Sequence, residues 1–416
     1  MKFDPGILRP YDIRGEYGVD FDDEFAERLG AALVKHFDAK QLVVARDMRE
    51  SAMPLYDAVV RGITASGCDV IDIGQSSTPF FYYVVTQQGF SAGIMITASH
   101  MGAAFNGFKI CQQNAMTLGQ DSGLADVVQL TQQKIVPAPQ PGAIIQKNFL
   151  DAHADFIISL AGLQRGDISL NIAIDAAPMI EREIQVIFEK LDIKRAKETC
   201  DIKFAFDADG DRLMLYTASG KQIRADLFAG LLAQDFHEVI ADLRASRGVT
   251  EYLLARGIAL IPSKIGHTNI KKVMKEHDVA FAGEASGHMM FRELKYSEST
   301  QLALLKLLKI MAKERKTIDE LVAPMETWSY SGEINAPIEG WPASVAPILK
   351  KLKTTYSDGE MNEIDGLRVD YPDWWVLVRA SGTEPVIRLI VEACTKEMME
   401  EKIKEVQGII AAPSSF

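Results

Sequence analysis

Short apolar runs that end in small or polar loops recur along much of the chain, with amphipathic stretches between them. Gln41-Leu42-Val43-Val44-Ala45, Asp69 to Ile73 and Ala92 to Thr97 read as buried strands. Ahead of the first, Asp22 to Phe37 puts Phe25, Leu29, Leu33 and Phe37 on one helical stripe, with Asp22 at the N-cap position. Strand and helix in alternation predict βαβ units and a largely parallel sheet, an α/β fold. Parallel sheets place ligand sites at the carboxyl ends of their strands. Three strand-end loops, Thr97-Ala98-Ser99-His100, Asp207 to Arg212 and Gly283 to His288, are therefore expected to converge on one cleft.

At 416 residues the chain is too long for one compact core. The cluster Pro137-Ala138-Pro139-Gln140-Pro141-Gly142 reads as a linker, and Pro324 to Pro342 as a second boundary. Between them, strands are expected at Leu170 to Asp175, Lys203 to Phe206, Ala259 to Ile261 and Val279 to Phe281. The last part reads as α+β. It carries a helix at Val345 to Lys353, strands at Trp374 to Val378 and Val386 to Glu392, and a closing helix from Lys396.

Acidic residues outnumber basic ones by 57 to 45, a net charge of -12 that argues against a general nucleic-acid partner. A small anionic substrate stays compatible, since it needs only a local cationic site. Cys68, Cys111, Cys200 and Cys394 lack metal-site or disulfide-framework spacing, which points to a reducing compartment. The N-terminus lacks the pattern of a signal peptide, and no apolar run approaches the roughly 20 residues that span a bilayer. The expectation is a cytoplasmic protein with no membrane partner. Apolar stripes facing a core and stripes facing a second copy read alike, so no oligomeric state is assigned.

Phe206-Asp207-Ala208-Asp209-Gly210-Asp211-Arg212 places three carboxylates at alternate positions after a strand, with a glycine to turn the backbone. This is a hard-oxygen cage suited to Mg²⁺. A calcium loop of the EF-hand type is excluded, because its sixth and twelfth positions here hold Arg212 and Ala218. Such a magnesium site usually also binds a substrate phosphate, and Ser99 is the candidate carrier. Lys109, in Asn106-Gly107-Phe108-Lys109, offers a cation or proton nearby, and Arg14 offers another cation. Gly283-Glu284-Ala285-Ser286-Gly287-His288 sets a carboxylate, a hydroxyl and an imidazole between glycines, a pattern able to hydrogen-bond sugar hydroxyls. Lys264 and His267 sit at another strand-to-helix turn and are candidates to face an anion. Arg379-Ala380-Ser381-Gly382-Thr383-Glu384-Pro385 supplies donors for a metal-free phosphate grip. Each segment alone also has a bland reading: a solvated acidic turn, a helix-capping serine, a surface lysine, a polar helix-start loop, a hairpin connection.

Taken together and in this order, the segments resemble the α-D-phosphohexomutase family, most closely its bacterial phosphomannomutase/phosphoglucomutase branch. The resemblance runs over Tyr11 to Gly15, Thr97 to His100 with Asn106 to Lys109, Asp207 to Arg212, Lys264 to His267, Gly283 to His288 and Arg379 to Pro385. It implies three related α/β domains, at 1–142, 143–222 and 223–326, and a smaller C-terminal α+β domain at 327–416, around a central cleft. It implies phosphorylation of Ser99, and Mg²⁺ held by Ser99, Asp207, Asp209 and Asp211. Arg14, Lys109, Arg212 and His288 correspond to residues near the reacting groups. Tyr11, Lys264, His267, Glu284 and Ser286 correspond to substrate contacts, and Arg379, Ser381, Gly382 and Thr383 to the phosphate clamp.

The implied reaction interconverts mannose 6-phosphate and mannose 1-phosphate, with glucose phosphates as further substrates, through a hexose 1,6-bisphosphate that is both intermediate and activator. Departures from the family pattern are Met101-Gly102 in place of Asn-Pro, Ala285 in place of methionine or glutamine, and Asp175-Ala176-Ala177-Pro178 in place of glycine-rich sequence. The alternatives are a phosphoglucosamine mutase, a phosphatase-like hydrolase and a non-catalytic sugar-phosphate sensor. The acceptor-binding loop and the clamp disfavour the hydrolase, and retention of Ser99 with all three aspartates disfavours the sensor.

Overall fold

The computed structural model describes residues 3–9, 11–113, 116–196, 199–381 and 385–411. The chain separates into two compact units, Met1–Ile223 with Ser286–Thr317, and Arg224–Ala285 with Ile318–Phe416.

The first unit opens with β1 (Ile13–Glu16), α1 (Asp23–Phe37), β2 (Gln41–Arg46), α2 (Ala52–Ala65), β3 (Asp69–Gln75), α3 (Thr78–Gln87), β4 (Ala92–Ile96) and β5 (Phe105–Gln112). After α4 (Leu124–Leu130) comes β6 (Ile144–Gln146), and the six strands form one sheet in the order β1-β5-β4-β2-β3-β6. Its β4-β2-β3-β6 part is parallel, while β5 runs antiparallel to both β4 and β1. Both faces of the sheet are covered. Leu42, Val44, Ile94 and Ile96 pack with α1 and α2, while Val43, Ala45, Ile71 and Met95 pack with Phe80 to Val85 of α3. That two-sided burial explains the continuous apolar runs, each fully buried Leu or Ile contributing about 1.5–3 kcal/mol. Asp22 caps α1 by accepting the Phe25 N–H at 2.9 Å.

β6 lies beyond the proline cluster yet joins the first sheet, parallel to β3. It is a short edge strand with Ile144 exposed and so lacks the apolar pattern that betrays a buried strand.

A second sheet follows α5 (Leu150–Ala161). It consists of β7 (Asn171–Asp175), β8 (Lys194–Arg195), β9 (Ile202–Phe206), β10 (Leu213–Thr217) and β11 (Gln222–Ile223), in the order β11-β10-β9-β7-β8. α6 (Pro178–Leu191) is the crossover between β7 and β8. β7 runs parallel to β8 and β9, and β10 turns back antiparallel to β9.

The chain then enters the second unit through α7 (Ala225–Ala233), β12 (Glu238–Asp242), α8 (Arg247–Leu254), β13 (Ala259–Ser263), α9 (His267–His277) and β14 (Phe281–Gly283). β13 and β14 pair parallel with β12. It returns to the first unit for the antiparallel pair β15 (Met289–Phe291) and β16 (Ser297–Glu298) and the helix α10 (Thr300–Glu314).

The rest of the second unit holds α11 (Ile318–Val322), β17 (Ser329–Tyr330), β18 (Ile334–Pro337), α12 (Val345–Thr355), β19 (Glu360–Asn362), β20 (Leu367–Asp370), β21 (Trp374–Ala380), β22 (Val386–Ala393) and α13 (Lys396–Ala411). These strands make an antiparallel sheet, β17-β22-β21-β20-β19 with β18 also on β22. Its buried residues pack with Ile348, Leu352, Val406 and Ile410 of α12 and α13. β17 and β18 fall inside the Pro324 to Pro342 segment, where brevity and proline hide them from a sequence reading. No helix among the described residues is long and apolar enough to cross a membrane. All four cysteines are free.

Candidate active site

Ser99 stands three residues beyond the carboxyl end of β4, in the first unit. The Thr97 hydroxyl oxygen accepts its N–H at 2.9 Å and shapes a tight turn. Its backbone adopts a left-handed conformation, φ 52°, which costs a non-glycine residue about 1–2 kcal/mol. The residue is 1% exposed. Its Oγ lies 3.2 Å from Asp207 Oδ2 and 3.5 Å from His100 Nδ1.

The aspartate loop joins β9 to β10, and Phe206 and Leu213 pair across its base. Gly210 has φ 74°, and a Cβ there would stand 2.9 Å from Ile180 Cδ1, so both conformation and space demand glycine. Helix starts grip the loop. Thr78, opening α3, donates its hydroxyl to Asp209 Oδ2 at 2.7 Å and its N–H to the Asp209 carbonyl at 2.8 Å. Thr300, opening α10, donates to the Gly210 carbonyl at 2.7 Å. Asp207, Asp209 and Asp211 each bring a carboxylate oxygen within 4.8 Å of the others.

Lys109 on β5 puts Nζ 2.6 Å from Asp209 Oδ2 and 2.5 Å from Asp211 Oδ2. Burial opposes its charge, but Asp209 and Asp211 outweigh burial and hold the ammonium above its ordinary range. Burial likewise opposes ionisation of Asp211, and Lys109 and His288 overcome it, keeping that carboxyl well below the usual range. Asp207 goes the other way: burial first, then repulsion from Asp211 and Asp209, raise it well above its ordinary value. His288 Nδ1 is fixed by the Ser286 hydroxyl at 2.7 Å, and its Nε2 lies 3.4 Å from Asp211 Oδ1. His100 is lowered to about 4 by burial, then by Arg212 and Arg14.

The donor set suits magnesium. It offers only hard carboxylate oxygens, and Asp209 Oδ1 is buried with no hydrogen-bond partner among the described residues. A second grouping, Asp211 with His288 and Glu298, mixes nitrogen with oxygen and matches Mg²⁺ less well.

Arg14 on β1 donates to Asp12 Oδ2 at 2.7 Å, and Asp209 and Asp211 help to keep its guanidinium charged against burial. β1 can run beside β5 only because Gly107 faces it; a Cβ there would come within 2.0 Å of the Ile13 carbonyl oxygen. Arg212 donates its N–H to Asp207 Oδ1 at 3.1 Å and holds Nε 3.9 Å from Asp207 Oδ2. Tyr11 is half-buried at the entry to β1.

The second unit carries the remaining candidates, and the expected sugar loop divides between units: Glu284 belongs to the second, Ser286 and His288 to the first. Glu284 is buried and paired to Arg244 Nη2 at 3.0 Å, with Arg244 also held by Asp242 at 2.8 Å. Lys264 is exposed, and His267 begins α9. Arg379 lies within β21, 3.7 Å from Glu333, which also meets Arg388 at 3.1 Å. Ser381 is buried and donates its N–H to the Val386 carbonyl at 3.0 Å. Gly382 and Thr383 lie outside the described residues.

Several residues at these sites carry no sequence signal of their own. Thr78, Thr300 and Arg244 are ordinary until the fold places them. Glu183, on α6, is another: Ser77 donates its N–H and hydroxyl to it at 2.8 and 2.6 Å, and Gln301 adds a bond at 2.8 Å. This buried network ties α3, α6 and α10 together beneath the aspartate loop. Arg49, just past the end of β2, was likewise missed, and Asp47 two residues before it is the local pattern that could have pointed to it.

Burial pushes the Glu183 carboxyl from 4.5 up to about 7, against those hydrogen bonds. The folded state then keeps a proton that the unfolded chain releases, so stability falls as pH rises from 4.5 to about 7. Glu183→Gln is expected to lack this decline and to gain on wild type by about 3 kcal/mol between pH 5 and pH 8. Urea unfolding at both pH values checks it, and a parallel response of the two proteins would sink it.

Three models of the phosphoglucomutase/phosphomannomutase family match the chain: alpha/beta/alpha domain I over residues 6–134, alpha/beta/alpha domain III over 209–328 and the C-terminal domain over 333–408. A phosphomannomutase of Methanocaldococcus jannaschii is 30% identical over 97% of each chain. A phosphomannomutase/phosphoglucomutase of Pseudomonas syringae pv. tomato is 30% identical, over 98% of this chain and 94% of its own. The crystal structure of a phosphoglucomutase/phosphomannomutase family protein from Burkholderia thailandensis superposes with TM-score 0.83 at 25% identity, covering 100% of both chains. The chain belongs to the α-D-phosphohexomutase family. It is an enzyme of carbohydrate metabolism, a phosphotransferase of the isomerase class with phosphohexomutase activity.

Proposed function

We propose that the chain interconverts mannose 6-phosphate and mannose 1-phosphate through a phosphoserine at Ser99 and a hexose 1,6-bisphosphate, in the cytoplasm. The observation that carries this reading is the Ser99 hydroxyl, turned out of a strained strand-end loop to within 3.2 Å of the first of three clustered aspartates. Asp207, Asp209 and Asp211, with phosphoserine 99, would hold Mg²⁺, which when bound offsets charge on the transferring phosphoryl group.

In the first half-reaction a free sugar hydroxyl attacks the phosphorus, its proton leaves to a base of the site, and the bond from phosphorus to Ser99 Oγ breaks. In the second, Ser99 Oγ attacks the phosphorus of the other phosphate of the bisphosphate and the bond from that phosphorus to the sugar oxygen breaks. That oxygen takes a proton back from the site, giving a hexose monophosphate with its phosphate moved and Ser99 phosphorylated again. Lys109, Arg14, Arg212 and His288 surround the carboxylates and oppose the gathering negative charge. Arg379, Ser381, Gly382 and Thr383 serve as a distal phosphate grip, with Tyr11, Lys264, His267, Glu284 and Ser286 on the sugar. The names borne by the relatives support mannose as the sugar. Glucose phosphates are the second reading, favoured by the double name of the Pseudomonas relative.

A phosphorus NMR time course tests this directly. Purified protein receives Mg²⁺, catalytic hexose 1,6-bisphosphate and, in separate tubes, the 1-phosphates of mannose, glucose and glucosamine. Fastest growth of a 6-phosphate signal from mannose supports the proposal, whereas faster turnover of glucosamine overturns it, and inorganic phosphate alone points to a hydrolase. Arg379→Ala is expected to weaken hexose-phosphate binding about 10- to 100-fold, the worth of one charged hydrogen-bond donor, with Mg²⁺ binding unchanged. Calorimetry separates the two, and equal loss of both would show that the clamp lies elsewhere.

A further inference from the structure

Arg49 sits between β2 and α2, with its side chain 9% exposed. Its Nε donates to Asp47 Oδ2 at 3.0 Å. Nη1 donates to the carbonyls of Gly102 and Phe105 at 2.8 and 3.0 Å. Nη2 donates to those of Ser99 and Met101 at 2.6 and 2.8 Å. A guanidinium has five N–H groups, and all five are spent here. Asp47 is itself 1% exposed, and its backbone N–H donates to the Ile96 carbonyl at 3.0 Å, so the anchor is part of the sheet end that launches the serine loop.

Given that Ser99 carries the phosphoryl group, as proposed above, we infer that Arg49 is a positioning residue that holds Ser99 in its reactive conformation by gripping four carbonyls of the 99–105 loop. Two consequences follow from the donor count. Arg49 has no N–H left for a phosphate, so it does not bind substrate or the phosphoryl group while the loop stands. Lysine cannot replace it, because an ammonium has three donors on one point and cannot span carbonyls spread along the loop. The left-handed backbone at Ser99 is what the grip maintains, since a serine released from it relaxes to an ordinary conformation and withdraws Oγ from Asp207.

The test compares Ser99→Ala, Arg49→Lys, Arg49→Ala and Asp47→Asn in the full chain, each checked for folding by circular dichroism. Arg49→Lys is expected to lower kcat about 10²-fold, the scale of a misplaced reacting group, with KM for the hexose 1-phosphate and Mg²⁺ binding unchanged. Low, non-denaturing guanidinium is expected to restore part of the turnover of Arg49→Ala and none of that of Ser99→Ala. Asp47→Asn keeps the five donors on a weaker anchor and is expected to lose less kcat than Arg49→Lys, and it decides the matter if the arginine variants do not fold. Wild-type kcat in folded Arg49→Lys, or in Asp47→Asn where that variant decides, overturns the inference, as does a loss that appears in KM. Full turnover by folded Ser99→Ala would instead overturn the phosphoserine reading on which it stands.

Discussion

Ser99→Ala is expected to give a folded protein whose mutase turnover falls by about 10⁴-fold or more, the scale of removing a covalent nucleophile. The substitution deletes one oxygen and its 3.2 Å contact with Asp207. It leaves untouched the carboxylate cage, the Lys109 ion pairs and the carbonyls that Arg49 holds. Alanine meets much the same penalty as serine at φ 52°, so stability is expected to move by about 1 kcal/mol or less. Phosphorus NMR with a parallel thermal melt distinguishes loss of chemistry from loss of fold. Near wild-type turnover in the folded variant would refute a phosphoserine route.

Lys109→Met carries the next largest effect. Asp209 and Asp211 are 0% and 2% exposed, and Lys109 donates to both. Methionine fills similar space but leaves two buried carboxylates without their cation, and breaking a buried pair in this way costs about 3–5 kcal/mol. Added Mg²⁺ is expected to recover much of that loss, because a cation that binds only the folded state stabilises it in proportion to its occupancy. The variant's stability should therefore depend on Mg²⁺ far more steeply than the wild type's. Urea unfolding with Mg²⁺ and with a chelator measures this. Equal Mg²⁺ responses in the two proteins would show that Lys109 and the metal do not share those carboxylates.

Much of the fold was legible because it depends on local pattern. Asp22 caps its helix, and the apolar runs from Gln41, Asp69 and Ala92 are strands of one sheet buried on both faces. The aspartate loop was legible for the same reason, its alternating acids and its glycine lying within five residues. What escaped were groups whose meaning depends on distant partners. Thr300 meets Gly210, and Glu183 meets Ser77 and Gln301, contacts spanning from about 90 to more than 110 positions of sequence. β6 escaped because an edge strand buries too little to show an alternation. Arg49 stands near its cue, Asp47, but its loop partners lie some fifty residues on. Gly283 to His288 reads as one motif, and nothing in it announces that Glu284 and Ser286 fall in different units.

The first unit is discontinuous: Met1–Ile223 is completed only by Ser286–Thr317, with part of the second unit inserted between. Its site is equally divided, for Ser99 and the aspartates lie in the earlier segment while His288 and Thr300 arrive in the later one. A chain emerging from the ribosome can build the first sheet early, yet it lacks the clasp on Gly210 until residues near 300 have been made. Synthesis that stops before that point leaves the aspartate loop without its Thr300 clasp and Asp211 without His288.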